Sequence, residues 1–209
     1  MIVIIRPFHS MPPDANYWNE RYLHDDTSWD MRQVSPPLEA YFAQLQNKEQ
    51  AILIPGCGNS YEATWLLNHH FTAITLIDIS EVLTDRLRET FAGIPNPPLN
   101  ILTADFFQIV GQYDLIIEQT FFCALNPSLR MAYIEQMFKL LRPVGKLAGL
   151  LFDRDFVSKD APAGPPFGGH EAEYRQLLEK KFRIKTLTPC YNSIQPRAGS
   201  ELFFVAEKI

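Results

Sequence analysis

Short apolar runs alternate with longer amphipathic segments along most of this chain, and that alternation restricts its fold more than any other feature. Ala51 to Ile54 reads as a buried strand ended by Pro55-Gly56. Glu62 to His69 follows with helical spacing at Ala63, Leu66 and Leu67, capped by Asn59 or Ser60. Ile74 to Ile77 is a second strand, and Ser80 caps a helix carrying Leu83, Leu87 and Phe91. Ile101 to Thr103 and Tyr113 to Ile117 are the third and fourth strands. Asn126-Pro127 opens a helix that Arg142-Pro143-Val144-Gly145 breaks. A fifth strand over Lys146 to Phe152, a helix over Glu171 to Lys181, and strands over Phe182 to Leu187 and Glu201 to Ala206 complete the series. Strands separated by helices form a parallel sheet covered on both faces, with right-handed crossovers. The last two strands have only a loop between them, so the final one is expected to run antiparallel. The predicted fold is therefore α/β: a doubly wound, mostly parallel, Rossmann-like sheet of seven strands.

No internal repeat or linker interrupts this pattern, which implies one domain over 1–209, with a core over 49–209 and a segment over 1–48 too short to fold alone. That segment is rich in Trp, Tyr and Asp and is expected to cap the ligand edge of the sheet. A net charge of -5 disfavours a protein that clamps phosphate backbones, so no nucleic-acid partner is expected. No apolar run is long enough for a membrane span, and the apolar opening ends at Arg6-Pro7, too early for a signal-peptide core. Met11 is a candidate natural start. Cys57, Cys123 and Cys190 are odd in number and widely spaced, which suits reduced thiols in a cytoplasmic protein. The histidines show no zinc-type pairing, so no metal is expected. A monomer or weak homo-oligomer acting on a small molecule fits these properties.

In an open parallel sheet, ligands bind beyond the carboxyl ends of the strands. The first strand ends in Pro55-Gly56-Cys57-Gly58, which is either a ligand-approached turn or an ordinary strand-to-helix turn. Tyr61 stands where a dinucleotide fingerprint has its third glycine, which counts against pyrophosphate binding. Asp78, about twenty residues beyond the glycines, is placed to accept from ribose hydroxyls; the plainer alternative is an exposed acid beside the Ser80 cap. At a solvent-facing strand end, its removal would leave folding little changed. Asp105-Phe106 after the third strand suits an adenine, with a carboxylate for the amine and an apolar face for the ring. Glu118-Gln119-Thr120 ends the fourth strand where a substrate's reacting end would lie. Cys123 is either a covalent nucleophile or, more in keeping with its two preceding phenylalanines, a buried inert thiol.

Together these residues describe a nucleoside site without a pyrophosphate site, a shape common to S-adenosylmethionine sites. The motifs Ile54-Pro55-Gly56-Cys57-Gly58, Asp78-Ile79-Ser80, Asn126-Pro127 with Arg130, and Gly164-Pro165-Pro166-Phe167 resemble the thiopurine S-methyltransferase family. The run from Glu118 to Ala124 resembles its plant halide/thiol methyltransferase branch. The resemblance runs from about Tyr17 to the C-terminus. It implies a class I methyltransferase that uses S-adenosylmethionine and makes S-adenosylhomocysteine. By the same resemblance Trp18, Tyr22 and Trp29 close over the cofactor, where a sulfonium would meet aromatic faces; the alternative is that they form the cap's own core. Gly56, Gly58, Asp78, Asp105 and Phe106 would bind the cofactor. Glu118 would act as a base or face the cofactor's ammonium. Gln119 departs from the family, which has arginine or tyrosine there, so small thiols, sulfide or halide-like acceptors are expected over acidic thiopurines. Arg197, before the last strand, is a second candidate positive charge. A nicotinamide-dependent oxidoreductase and a non-catalytic S-adenosylmethionine-binding protein are the competing readings.

Overall fold

A computed structural model describes residues 13–95, 97–156 and 164–209. The apolar opening, the Met11 start and Pro162 lie outside these. Helices α1 (Ala15–Leu23) and α2 (Pro36–Phe42) precede a sheet of seven strands. The strands are β1 (Ile52–Pro55), β2 (Ile74–Asp78), β3 (Leu99–Thr103), β4 (Tyr113–Gln119), β5 (Leu141–Phe152), β6 (Phe182–Pro189) and β7 (Glu201–Lys208). Between them run α3 (Tyr61–Asn68), α4 (Glu81–Phe91), α5 (Arg130–Leu140) and α6 (Glu171–Leu178). Strand order is β3-β2-β1-β4-β5-β7-β6, so the chain reverses direction across the sheet between β1 and β4. The strands from β3 to β5 are parallel, and β7 runs antiparallel to both of its neighbours.

Because side chains alternate along a strand, each strand feeds two cores. Leu53, Ile77, Ile116 and Leu147 pack with Tyr133, Ile134 and Met137 of α5 and with Tyr174 and Leu178 of α6. Ile52, Ile54, Leu76, Leu115 and Ile117 pack on the other face with α2, α3 and α4. β1 is buried at every position, which explains its uninterrupted apolar run.

Three local expectations need correction. The Arg142–Gly145 stretch does not separate α5 from β5; β5 starts at Leu141, and this stretch forms a bulge between the pairs Tyr113–Leu141 and Leu115–Lys146. Ser60 precedes α3 in a left-handed conformation and makes no capping hydrogen bond. Asn126 caps a short 3₁₀ turn, Pro127–Leu129, that leads into α5. Among the described residues, no helix is long and apolar enough to cross a membrane.

Candidate active site

One large cavity, about 610 Å³, opens along the carboxyl edge of β1 to β5. That volume is ordinary for a small-molecule site. It is lined by Trp18, Tyr22, Trp29, Gly56, Gly58, Asp78, Asp105, Phe106 and Gln119, so one space collects every candidate except Glu118.

The β1 turn is shaped by close approach. Gly56 and Gly58 have φ of +55° and +52°, where a side chain is strained. A Cβ on Gly56 would sit 2.3 Å from Cδ2 of Phe121, so that ring also requires glycine. The turn thus interlocks with the loop after β4. Asp78, at the end of β2, is only 8% exposed, not solvent-facing as its position suggests. Its Oδ1 accepts the Ser80 N–H at 2.9 Å, and the amides of Gly58 and Ile79 also stabilise it. Burial nevertheless outweighs these bonds and pushes its carboxyl up to about 6. Asp105 accepts the Phe107 amide at 2.9 Å and Gln108 Nε2 at 3.2 Å, which holds the turn after β3, while Phe106 is buried against Phe121.

The N-terminal segment lies across this edge. Asn19 of α1 accepts from the Ser80 hydroxyl and the Val82 amide, so it supports the start of α4 from outside. Asp30 accepts Asn59 Nδ2 at 2.8 Å and the Tyr61 hydroxyl at 3.2 Å. Trp29 sits edge-on to both Trp18 and Tyr22, at 5.5 and 5.9 Å between centroids. All three rings line the cavity while packing together, so wall and cap core are one cluster.

The other half of the edge departs further from expectation. Glu118 is fully buried and does not line the cavity. One carboxylate oxygen accepts the amides of Phe121 and Phe122 at 2.8 and 2.9 Å, and the other accepts the Tyr133 hydroxyl at 2.6 Å. Burial raises its carboxyl to about 7. Both of its oxygens are thus engaged within the protein rather than turned to the cavity. Glu118 instead holds the turn that contains Thr120, a β-branched residue at φ +58°. Gln119 borders the cavity, while its Oε1 and Nε2 are themselves buried and have no protein partner. Such atoms cost stability unless a ligand or water pairs with them. Cys123 lines the cavity, but burial raises its thiol strongly and it donates to Thr120 O at 3.3 Å, which disfavours a thiolate nucleophile. Arg197 reaches the cavity, with its guanidinium committed to Glu201 at 3.2 Å and to the Trp29 carbonyl at 2.8 Å.

The sequence matches the family described as thiopurine S-methyltransferase over residues 13–208. The chain belongs to the thiopurine S-methyltransferase family. A probable thiol methyltransferase 2 of Arabidopsis thaliana is 29% identical over 188 residues, spanning 88% of this chain and 81% of the relative. A thiopurine S-methyltransferase of Vibrio cholerae is 27% identical over 180 residues, spanning 79% of this chain and 81% of the relative. The solved 1,6-didemethyltoxoflavin-N1-methyltransferase of Burkholderia thailandensis, bound to 1,6-didemethyltoxoflavin and S-adenosylhomocysteine, superposes with a TM-score of 0.73. At 16% identity over 93% of this chain and 86% of that one, it shows the shared fold.

This protein is thus a class I, S-adenosylmethionine-dependent methyltransferase. The oxidoreductase and non-catalytic readings fall with that membership. The residues present suit the cofactor: a tight glycine turn, a buried acid at the end of β2, an aromatic wall, and an orphan Ser60 hydroxyl on a residue of the cavity lining. Sequence reasoning missed Asp30, Ser60, Phe152, Arg154 and Phe156 among the lining residues. Only Ser60 carried a signal, as the residue after the glycine turn.

Proposed function

We propose that this enzyme methylates the sulfur of a small thiol. The observation that carries the reading is Gln119: an unpartnered amide on the cavity wall, on β4, beside the switch in strand order. Turned toward the cavity, its amide would give a substrate a donor and an acceptor at the point where the donor half of the edge meets the β5–β7 half. When bound, S-adenosylmethionine supplies a methyl group on a sulfonium, whose C–S bond breaks as the acceptor's sulfur lone pair forms the new one.

In this reading the chain's own part is binding and alignment. Asp78 accepts the ribose hydroxyls, Gly56 lets Phe121 close on the turn while Gly58 leaves the backbone open to the ligand, and Asp105 with Phe106 holds the adenine. Trp18, Tyr22 and Trp29 exclude water on the cap side. Alignment of two reactants alone is worth effective molarities of roughly 10⁵–10⁸ M. A thiol with a pKa near ~8.5 is a few per cent ionised at neutral pH, and its proton passes to solvent without a side-chain base. The free cysteines Cys57, Cys123 and Cys190 support a cytoplasmic, reducing setting for this chemistry.

The test is transfer of labelled methyl from S-adenosylmethionine to a panel of thiols, bisulfide and iodide. Methylated thiols are the expected product. Transfer to none of the thiols would reject the acceptor class, and a melting temperature raised by S-adenosylhomocysteine but not by NADH would check the cofactor separately.

A further inference from the structure

Three arginines line the cavity: Arg21, Arg154 and Arg197. Two are committed. Arg197 is buried between Glu201 and the Trp29 carbonyl. Arg21 pairs with Asp26 at 3.2 Å and lies over the Trp29 ring at 5.1 Å. Arg154 differs. Its flanking acids, Asp153 and Asp155, both turn to His170, at 3.4 and 3.3 Å. Among the described residues, no carboxylate pairs with Arg154.

The position of Arg154 is nonetheless well defined. Its carbonyl accepts the Gly169 amide at 3.2 Å in an isolated antiparallel bridge, so the backbone beneath it is pinned. Its guanidinium lies 4.6 Å from the centroid of Phe156, whose ring is edge-on to Phe152 at 4.9 Å. Stacking on one ring leaves the N–H edge of a guanidinium open, and that edge matches a carboxylate. Arg154 follows β5, beyond β4 and away from the Asp78 and Asp105 turns.

We propose that Arg154, stacked on Phe156, selects acceptors that carry an anionic group away from the reacting sulfur: small thiols with a carboxylate tail. The inference rests on the thiol reading above and deepens it. Gln119 offers no charge, so recognition of an acidic acceptor moves from the end of β4 to the segment after β5. Because Arg154 touches the tail and not the reacting atoms, its contribution is uniform binding, felt in KM more than in kcat.

The experiment compares 3-mercaptopropionate and 6-mercaptohexanoate with the corresponding mercapto-alcohols, in the parent enzyme and in Arg154→Gln, Arg154→Glu and Arg154→Lys. The expected result is a preference for a carboxylate thiol in the parent. That acid-to-alcohol ratio of kcat/KM falls about fivefold in Arg154→Gln, as for a partly screened ion pair. It falls further in Arg154→Glu, is largely restored in Arg154→Lys, and declines with added salt. S-adenosylhomocysteine affinity by calorimetry should be equal in all four proteins. A ratio unmoved by removal of the charge overturns the inference while leaving the thiol reading intact. Weaker S-adenosylhomocysteine binding in Arg154→Gln also overturns it, since Arg154 would then serve the cofactor. Methylation of neither thiol series would reject the acceptor class and this inference together.

Discussion

At the β1–β3 half of the cavity edge, Asp78 and Asp105 stand at or just beyond the ends of their strands, and each takes an amide from the turn that follows. Asp78 takes the Ser80 amide and Asp105 the Phe107 amide, each two residues away. At the β4–β5–β7 half, local amides of Phe121 and Phe122 are joined by contacts from farther along the chain. Glu118 is held by Tyr133 of α5, and Arg197 binds the carbonyl of Trp29 across 168 residues. The first half is a set of local turns that suit an invariant ligand such as a nucleoside. The second is assembled from separate elements and meets the first where Phe121 packs into the glycine turn.

The largest expected effect tests the first half. Asp78→Ala should weaken S-adenosylhomocysteine binding at least about a hundredfold, since it removes two charge-assisted bonds of roughly 1.5–3 kcal/mol each. It should also destabilise the protein, because the buried carboxylate accepts backbone amides that would lose their partner. Asp78→Asn keeps an acceptor and should fold better while still binding poorly. The folded carboxyl titrates at about 6, so parent affinity should decline as pH falls through that value, approaching tenfold per unit below it. Calorimetry between pH 5 and 8 checks this, and a flat profile in the parent would break the ribose assignment.

Glu118 tests whether the second half contains a base. Its folded pKa, about 7, exceeds the unfolded value. The folded state therefore holds more protons between the two values. Its contribution to stability is full below the unfolded pKa and is lost as pH rises through about 7. Glu118→Gln keeps an acceptor for the Phe121 and Phe122 amides and a donor toward Tyr133. Its melting temperature relative to the parent should therefore rise from pH 5 to 8, with methyl transfer kept within a few-fold. A folded variant without activity would return Glu118 to the chemistry.

The smallest effect concerns Gln119. Gln119→Leu removes two buried unpartnered atoms, worth about 1 kcal/mol, and should raise the melting temperature of the ligand-free protein by ~2–4 °C. The same change should lower kcat/KM for thiols several-fold while leaving S-adenosylhomocysteine affinity unchanged. Equal losses in both would place Gln119 on the cofactor side and blur the division between the halves.

Strand positions, the parallel sheet, the antiparallel last strand and the residues at each strand end follow from apolar periodicity and turn chemistry, which are local and therefore legible in order along the chain. Gly56, Asp78 and Asp105 could be found this way because the sheet brings successive strand ends to one edge. The sequence also singled out Glu118-Gln119 as a pair, but successive strand residues point to opposite faces. Which of the two met the cavity depended on the packing of α5 against β4. The depth of Asp78 was likewise decided by α1 and the glycine turn closing around it. Arg154 is conspicuous only once Asp153 and Asp155 are seen to pair with His170. Burial and partnership are properties of distant residues brought together by the cores, so charge state and availability for a ligand belong to the tertiary structure.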